Sequence, residues 1–381
     1  MYAEDTIAAI STPPGEGGIG IVRISGPAAF AIGKKVFVFG VKTQEPHSHR
    51  LYYGHVTDPQ SGVQIDEALI AFMRAPRTYT REDVVEINCH GGIMPLAKTL
   101  EVVLACGARL AEPGEFTQRA FLNGRIDLAQ AEAVIQIIRA KSETAMELGL
   151  KQLKGQLSRE VKTLRGRLLA LLAHVEASID FPEHQDVEEM TRERLLAETE
   201  YCLEQTERLL ATAAQGRILR EGLKTAIIGL PNVGKSSLLN ALLREQRAIV
   251  TAIPGTTRDV LEENINLGGI LLTVIDTAGI RATEDEVERL GVERSHEALA
   301  EADLVLFVLD SSCGFRDEER ELLQAVGDRP CIVVANKTDL LVDRETALQA
   351  IAAAIAPRPL VPMSLVAGEG LDVLEKTITD T

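Results

Sequence analysis

The stretch Gly229-Leu-Pro-Asn-Val-Gly234-Lys235-Ser236 decides the fold of the second half of the chain. It follows an apolar run at residues 225–228 and precedes a sequence typical of a helix at 237–244. A strand, a glycine-rich loop and a helix in this order form the context of G-x-x-x-x-G-K-[ST], whose backbone N–H groups point at phosphate oxygens. The helix adds the positive end of its dipole. We therefore predict a phosphate-binding loop in which Lys235 reaches the β and γ phosphates and Ser236 binds Mg²⁺.

A second apolar run, residues 331–335, ends in Asn336-Lys-Thr-Asp339. A carboxylate at this place accepts the two N–H donors on the Watson–Crick edge of guanine, and adenine presents no such pair. The motif therefore predicts a guanine nucleotide as the ligand. Together with the phosphate-binding loop, it predicts an α/β guanine-nucleotide-binding domain that begins at Leu223.

Two further apolar runs belong to the same predicted sheet. Residues 270–275 end in Asp276-Thr-Ala-Gly279, where Asp276 would hold Mg²⁺ through water and the Gly279 N–H would face the γ phosphate. Residues 304–309 end at Asp310 without a motif. The turn-prone stretch 254–259 lies between the phosphate-binding loop and the run at 270–275. It can change conformation with the nucleotide, and it offers Thr257 as a second Mg²⁺ ligand.

The composition limits the class of protein. At 381 residues the chain is long enough for two or three domains. It contains no run of 18 apolar residues, its acidic start lacks a signal-peptide pattern, and its five cysteines are scattered, so we expect a cytoplasmic protein. The net charge of −16 disfavours a large nonspecific nucleic-acid surface, although a local basic patch or a partner could supply one.

The pattern along the chain predicts three domains. Residues 1–118 mix short β-rich runs (6–10, 20–24, 67–73 and 83–88) with turns and a helix at 95–106, which indicates an α+β domain. Residues 119–216 show apolar residues at helical spacing and predict two to four long helices, the last of them charged and beginning near 191. Residues 217–381 form the α/β domain. One stripe in the helical segment is predicted to be the core of a bundle and to end before Pro182: Leu164, Leu168, Leu171, Leu172, Val175 and Ile179.

Several motifs outside the nucleotide-binding segments are specific to one family. They are Asp5-Thr-Ile-Ala, Thr12-Pro-Pro-Gly, Arg23-Ile-Ser-Gly26, Cys89-His-Gly-Gly92, Glu112-Pro-Gly-Glu-Phe-Thr117, Arg119-Ala-Phe-Leu-Asn-Gly-Arg125 and Asp127-Leu-Ala-Gln-Ala-Glu132. With the motifs above, they make the chain resemble the MnmE (TrmE) family of tRNA-modification GTPases over nearly its full length.

The resemblance implies an architecture and an activity. Members of this family have an N-terminal domain that binds folate and dimerises, a helical domain, and a P-loop GTPase domain inserted in the helical one. With an FAD-dependent partner, MnmG, with which they form a heterotetramer, they add an aminomethyl or carboxymethylaminomethyl group to C5 of the wobble uridine of certain tRNAs. A tetrahydrofolate derivative, 5-formyl or 5,10-methylene, supplies the one-carbon unit.

By position, the resemblance makes Arg23, Glu86 and Arg125 the expected folate contacts. A carboxylate such as Glu86 can bind the amide-amidine edge of pterin through two hydrogen bonds, and an arginine can pair with the carboxylates of folate. The family usually has lysine where Arg125 stands. His90, interpreted as a residue of a Gly-rich turn, is open to either a turn role or a ligand role.

Hydrolysis needs a group that orients water, and Ile280, which follows Gly279, cannot make a hydrogen bond. The resemblance implies that Glu288 does so, although the acidic run 284–288 is also typical of a solvated surface. No arginine that could neutralise charge is evident, and the resemblance implies a K⁺ ion in that role, with GTPase domains that dimerise. Its expected ligands are Asn232, Thr251, Ile253 and Thr256.

The predicted site is therefore large. The catalytic candidates are Glu288, Lys235 and Asn232. The expected GTP contacts are Asn232, Val233, Gly234, Lys235, Ser236, Ser237, Thr251, Thr256, Thr257, Asp276, Thr277, Ala278, Gly279, Asn336, Lys337, Asp339 and Ser364.

The chain departs from the family pattern at its end. Family members continue into further helices that complete the helical domain and end in Cys-Ile-Gly-Lys. We therefore expect this chain to hydrolyse GTP, whereas it need not modify tRNA, and we expect the segment 118–216 to expose an apolar face. Two alternatives stay open: a regulatory GTPase of ribosome assembly, and a folate-dependent aminomethyltransferase.

Overall fold

A computed structural model of the chain describes residues 5–41, 45–180, 192–245, 263–267, 270–275, 299 and 301–381. These residues fall into two compact units. The first contains the described residues of 5–135 and 152–158, and the second contains those of 136–151 and 159–381.

The first unit is built on a seven-stranded sheet in the order β3-β4-β5-β6-β2-β1-β7, antiparallel except between β1 and β7. Two helices, α1 and α2, pack their apolar residues against one face of this sheet. The elements are β1 Ile7–Ile10, β2 Gly17–Ser25, α1 Ala29–Val36, β3 Phe37–Phe39, β4 Arg50–Thr57, β5 Gln64–Met73, β6 Val84–Gly91, α2 Ile93–Ala105, β7 Arg109–Leu110 and α3 Glu115–Leu122.

The α+β class predicted for this region is confirmed. The predicted strand at 6–10 matches β1, those at 20–24 and 67–73 lie within β2 and β5, and the one at 83–88 overlaps β6. The helix predicted at 95–106 begins two residues earlier, at Ile93, because Pro95 lies in the first turn, where its missing N–H needs no partner. Alternation along β6 buries Val85, Ile87 and Cys89 and turns Glu86, Asn88 and His90 to the opposite face.

Four helices follow, and two of them are long: α6 has 25 residues and α7 has 30. The helices are α4 Leu128–Arg139, α5 Glu143–Leu153, α6 Gln156–Asp180 and α7 Arg192–Glu221. The helical class is confirmed, and α7 continues several residues beyond the predicted charged helix. No described helix is both long and apolar enough to cross a membrane.

The apolar stripe of α6 is not a core in this structure, so that prediction is wrong. None of the residues of α6 is buried, and Leu168, Leu172 and Ile179 are 47%, 51% and 71% exposed. Helical spacing identifies the face of a helix that is apolar, but burial of that face depends on a neighbouring element that the spacing does not specify. An exposed apolar face in this segment is what we expected.

The second unit is built on a six-stranded sheet in the order β13-β12-β11-β8-β10-β9, parallel except between β9 and β10. Apolar residues of α8 and α11 pack on one face and those of α9 and α10 on the other. The elements are β8 Leu223–Ile228, α8 Lys235–Glu245, β9 Glu263–Leu267, β10 Ile270–Ile275, β11 Leu304–Asp310, α9 Asp317–Val326, β12 Cys331–Asn336, α10 Arg344–Ile355, β13 Leu360–Pro362 and α11 Leu371–Asp380.

The α/β class of this unit is confirmed. The parallel strands β8, β11 and β12 are neighbours, so the loops that follow their carboxyl ends meet at one edge of the sheet. This edge is where ligands bind in open α/β sheets. The phosphate-binding loop follows β8 and the Asn336–Asp339 motif begins at the end of β12, so the fold brings both predicted motifs to the same edge.

Candidate functional site

The loop between β8 and α8 has a backbone that only glycine permits at two places. Gly229 has φ +152° and Gly234 has φ +104°. A Cβ at Gly229 would lie 2.1 Å from the Val308 carbonyl oxygen, and one at Gly234 would lie 2.2 Å from Nδ2 of Asn336. Both glycines are therefore required by the close approach of the loop to β11 and to the end of β12.

Lys235, the first residue of α8, folds back over this loop. Its Nζ donates hydrogen bonds to the carbonyl oxygens of Gly229 and Leu230, each over 2.8 Å. Burial lowers the pKa of the Lys235 ammonium. Two neutral carbonyl groups of the loop thus hold the Lys235 ammonium in place. An anion in the loop would bind this ammonium more strongly than the carbonyls do. Ser236 and Ser237 follow in the first turn of α8, and both are exposed.

Asn336 joins three loops at the edge of the sheet. Its buried side chain donates from Nδ2 to the Val233 carbonyl over 2.8 Å, and its Oδ1 accepts from the Leu365 N–H over 3.4 Å. The phosphate-binding loop, the motif after β12 and the loop after β13 are therefore connected through one side chain.

Asp339 is exposed at this edge, and its orientation is set by Ser364. The Ser364 hydroxyl donates to Oδ1 of Asp339 over 2.6 Å and accepts from the Ala367 N–H over 3.2 Å. Thr338 is anchored nearby, because its N–H and its hydroxyl both donate to the Met363 carbonyl. The carboxylate is thus held in place while it stays accessible to a ligand.

Asp310, at the end of β11, belongs to the same cluster, although the sequence showed no motif there. Its Oδ2 accepts from Nζ of Lys337 over 2.6 Å, and its Oδ1 accepts from the N–H and the hydroxyl of Ser312. Burial opposes ionisation of this carboxyl, but the hydrogen bonds from Lys337 and Ser312 outweigh it and hold the pKa below its usual range. Ser311 adds a hydrogen bond to the Asn336 carbonyl over 2.7 Å.

Several predicted site residues lie outside the described part of the chain, so the structure does not place them. They are Thr251, Ile253, Thr256, Thr257, Asp276, Thr277, Ala278, Gly279 and Glu288. Of the expected metal ligands, Ser236 and Asn232 are described. Asn232 has φ +61°, an uncommon value for a residue other than glycine, and it is exposed within the loop.

The first unit brings Arg23, Glu86 and Arg125 together. Arg23 on β2 faces Glu86 on β6, and its Nε donates to Oε1 of Glu86 over 2.7 Å. The guanidinium of Arg125 lies 4.8 Å from the centre of the Tyr79 ring and donates to the Tyr79 carbonyl over 3.1 Å. The Arg23 guanidinium lies 5.6 Å from the ring centres of both Tyr79 and Phe116.

Tyr79 and Phe116 were missed by the sequence analysis. Phe116 lies inside a quoted family motif, but Tyr79 carries no local signal, since only the fold brings it between two arginines. The Tyr79 hydroxyl also shares a hydrogen bond of 2.8 Å with the Thr117 hydroxyl. The resulting cluster combines two cations, a carboxylate and two aromatic rings, a chemistry suited to a flat, polar heteroaromatic ligand with acidic groups.

A buried ionic network supports the segment that carries Tyr79. Arg119 is 3% exposed and binds Asp5, Glu82 and Glu115 over 2.6, 3.2 and 2.9 Å. Burial alone would raise the pKa of Glu115, but hydrogen bonds from Arg109, the Glu112 N–H and Arg119 lower it to about 2. Because Glu82 is only three residues from Tyr79, this network restrains the segment that carries the aromatic ring.

His90 is a strand residue of β6, so its interpretation as part of a turn is wrong. Its Nδ1 hydrogen bonds to Oδ1 of Asp66 over 2.7 Å, and its backbone N–H donates to Oδ2 of the same carboxylate over 2.8 Å. The hydrogen bond and the negative charge of Asp66 raise the pKa of the imidazole. The ring is mostly exposed, on the same sheet face as Glu86.

Comparisons with known proteins cover the whole chain. The family described as "GTP-binding protein TrmE N-terminus" matches residues 6–125, and the one described as "MnmE helical domain" matches residues 128–381. The tRNA modification GTPase MnmE of Geobacillus kaustophilus is 56% identical over 100% of this chain and 82% of its own length. The protein of the same name from Enterococcus faecalis is 55% identical over 99% of this chain and 81% of its own length.

Among solved structures, Era in complex with MgGDPNP and a segment of 16S ribosomal RNA is 34% identical over 42% of this chain and 56% of that chain, with a TM-score of 0.33. The two family models and the curated relatives, in contrast, together extend over both units and over the motifs quoted above. They confirm the resemblance, and the chain belongs to the MnmE (TrmE) family of tRNA modification GTPases.

Proposed function

We propose that this GTP-hydrolysing enzyme binds guanine nucleotide at the edge of the second sheet and a tetrahydrofolate derivative beside Tyr79, and that it serves the modification of tRNA. The observation that carries the nucleotide site is the hydrogen bond from Asn336 to the Val233 carbonyl, since it joins the loop suited to phosphate with the loop suited to guanine. The Asp339 carboxylate would accept from the two N–H groups of the base, and Lys235 would exchange its carbonyl partners for phosphate oxygens.

The loop suits a nucleotide phosphate by its place in the fold, because it joins the carboxyl end of β8 to the first turn of α8, where backbone N–H groups and the Lys235 ammonium can bind an anion. Ser236 and Thr257 would hold Mg²⁺, with Asp276 contributing through water. Asn232, Thr251, Ile253 and Thr256 would hold K⁺, which would supply positive charge beside the transferred phosphoryl group. Glu288 would orient the attacking water, and Lys235 would neutralise charge on the phosphates.

The folate part of the proposal is supported by the cluster around Tyr79. Glu86 would accept from the amide-amidine edge of the pterin, and Arg23 and Arg125 would pair with the ligand's carboxylates or stack on its ring. The ligand would be a 5-formyl or 5,10-methylene derivative of tetrahydrofolate. Its one-carbon unit is the group that a tRNA-modifying enzyme of this kind would transfer.

The tRNA part rests on the family. We propose that the enzyme acts in the cytoplasm as a homodimer, and forms a heterotetramer with an FAD-dependent, MnmG-type protein. The product would carry an aminomethyl or carboxymethylaminomethyl group at C5 of the wobble uridine. Dimerisation would involve the N-terminal domain constantly and the GTPase domains during hydrolysis.

Calorimetry with GDP and ADP tests the nucleotide site: we expect binding of GDP and no measurable binding of ADP, and equal binding would refute guanine recognition. GTP turnover in K⁺ should exceed turnover in Na⁺ at the same ionic strength. Equal rates would remove K⁺ from the proposal.

Two further measurements separate the alternatives. Titration with 5-formyltetrahydrofolate should show binding, which a regulatory GTPase of ribosome assembly would not. Nucleoside analysis of tRNA after reaction with the MnmG-type partner should show the modified uridine, which a folate-dependent aminomethyltransferase would not produce. If this protein binds folate but leaves tRNA unchanged, the proposed nucleotide and folate sites stand and the proposed tRNA modification is refuted.

A further inference from the structure

The end of β11 forms a fourth loop at the nucleotide edge, beside the three that Asn336 connects. It consists of Asp310 and the short 3₁₀ turn Ser311–Cys313. Asp310 is 8% exposed, and β11 pairs along its length with β12, with Asp310 in register with Asn336. This register places the Asp310 carboxylate beside the residue that follows Asn336, which is Lys337.

Lys337 is held in two ways. Its backbone has φ +63° and ψ +35°, the left-handed conformation, which is uncommon for a residue other than glycine. Its ammonium is fixed by Oδ2 of Asp310 over 2.6 Å, a short charge-assisted bond. The side chain therefore extends from the loop that follows β12 to the end of β11.

The Asp310 carboxylate is itself oriented from its other side. Its Oδ1 accepts from the Ser312 N–H over 3.0 Å and from the Ser312 hydroxyl over 2.6 Å. With Oδ1 occupied in this way, Oδ2 is directed at Lys337. Asp339, in contrast, is oriented independently by Ser364.

We infer that Asp310 is a positioning residue of the guanine-binding loop: it holds the Lys337 side chain extended so that its methylene groups cover one face of the base. This inference rests on the proposed binding of GTP. Because Asp310 acts through Lys337 and leaves Asp339 in place, its loss reduces affinity for guanine and hypoxanthine nucleotides by the same factor.

The variant Asp310→Asn keeps the shape and the acceptor for Ser312 but removes the charge that holds Lys337. We expect the Kd for GDP to rise about tenfold, as the loss of one charge-assisted hydrogen bond implies. The ratio of the Kd values for GDP and IDP should stay that of the wild type. In a Lys337→Met background, Asp310→Asn should cause no further loss.

The matched control is Asp303→Asn, at the residue that directly precedes β11 at its other end. Asp303 also accepts hydrogen bonds, from Lys224 N–H and from Arg217, but it lies far from the nucleotide edge, so GDP affinity should not change. Thermal melting of every variant identifies those that fail to fold. Should Asp310→Asn be one of them, Ser312→Ala removes one donor to the carboxylate and should raise the Kd for GDP about threefold.

Two results would overturn the inference: a folded Asp310→Asn protein that binds GDP as tightly as the wild type, or an equal loss with and without Lys337. A wild-type protein that does not bind GDP is a different result, since it refutes the proposed nucleotide site before Asp310 is examined. The two failures are therefore distinguishable within one set of titrations.

Discussion

Asn336 donates a hydrogen bond from its side-chain amide to the backbone carbonyl of Val233 over 2.8 Å, across 103 residues of sequence. The two residues are 4% and 2% exposed, so neither group can exchange this partner for water without local opening. The proposed phosphate-binding loop and the proposed guanine-binding loop are consequently joined by a buried hydrogen bond, so we expect ordering of either loop to favour ordering of the other.

The first prediction is that Asn336→Ala weakens binding of the whole nucleotide. The change leaves the buried Val233 carbonyl without its donor, at a cost of about 1–3 kcal/mol. We expect the Kd for GDP to rise at least about tenfold, with a lower melting temperature. Asn264→Ala on β9, which removes a more distant side-chain amide, is the control. GDP binding by Asn336→Ala at wild-type affinity would contradict the role of this bond.

The second prediction concerns Gly234. An added Cβ would lie 2.2 Å from Nδ2 of Asn336, in a backbone conformation that L-residues avoid. Gly234→Ala should therefore abolish detectable GDP binding by calorimetry. Gly327→Ala, which has a similarly positive φ of +66° but no atom within 4 Å, separates backbone strain from steric overlap. It should lower stability by about 1 kcal/mol and leave GDP affinity unchanged. Equal effects of the two variants on affinity would contradict the steric argument.

The third prediction is a change of base specificity in Asp339→Asn. Xanthine carries a carbonyl at C2 where guanine carries an amino group, so an amide can donate to xanthine where the carboxylate accepted from guanine. We expect the affinity for GDP to fall and that for XDP to rise, so that XDP becomes the preferred ligand in calorimetry. If Asp339→Asn still prefers GDP, Asp339 does not read the base.

The sequence predicted those parts of the site that local structure determines. The order of strand, loop and helix around 229–236 and the position of Asp339 after a buried strand depend on residues near each other in the chain, so motif spacing was sufficient to predict them. The contact of Asp310 with Lys337 depends on β11 and β12 being neighbours in the sheet. The position of Tyr79 between Arg23 and Arg125 depends on contacts between distant parts of the chain. No local sequence pattern predicts either arrangement. The same reason explains α6, whose spacing predicted the helix correctly but not the exposure of Leu168.

The fourth prediction concerns folate. Glu86→Gln removes the charge paired with Arg23 at 2.7 Å and replaces one acceptor oxygen by a donor. We expect the Kd for 5-formyltetrahydrofolate to rise at least about tenfold, while GDP affinity is unchanged. Glu67→Gln is the matched control, because Glu67 is a carboxylate on the neighbouring strand β5 that accepts from the Tyr53 hydroxyl over 2.9 Å. A similar loss in both variants would indicate a general charge effect in place of a specific contact.

The fifth prediction follows from the lowered pKa of Glu115. Its ionised form is stabilised in the fold by Arg109 and Arg119, which lower the pKa from 4.5 to about 2 despite burial. The folded state therefore binds fewer protons than the unfolded state between these two values. The contribution of Glu115 to stability is complete above its unfolded pKa and decreases as the pH falls towards about 2.

Replacement by Glu115→Gln should consequently lower the free energy of unfolding of the first unit, and the difference from the wild type should depend on pH. The shift in pKa corresponds to a pH-dependent part on the order of 3 kcal/mol. Hydrogen exchange in β1 and β2 at pH values between 3 and 7 measures it, with Glu112→Gln, an exposed neighbour, as the control. The difference between wild type and Glu115→Gln should be largest above pH 5 and should shrink as the pH falls. A difference that is constant across this range would show that packing of the side chain, and not its charge, accounts for the stability it provides.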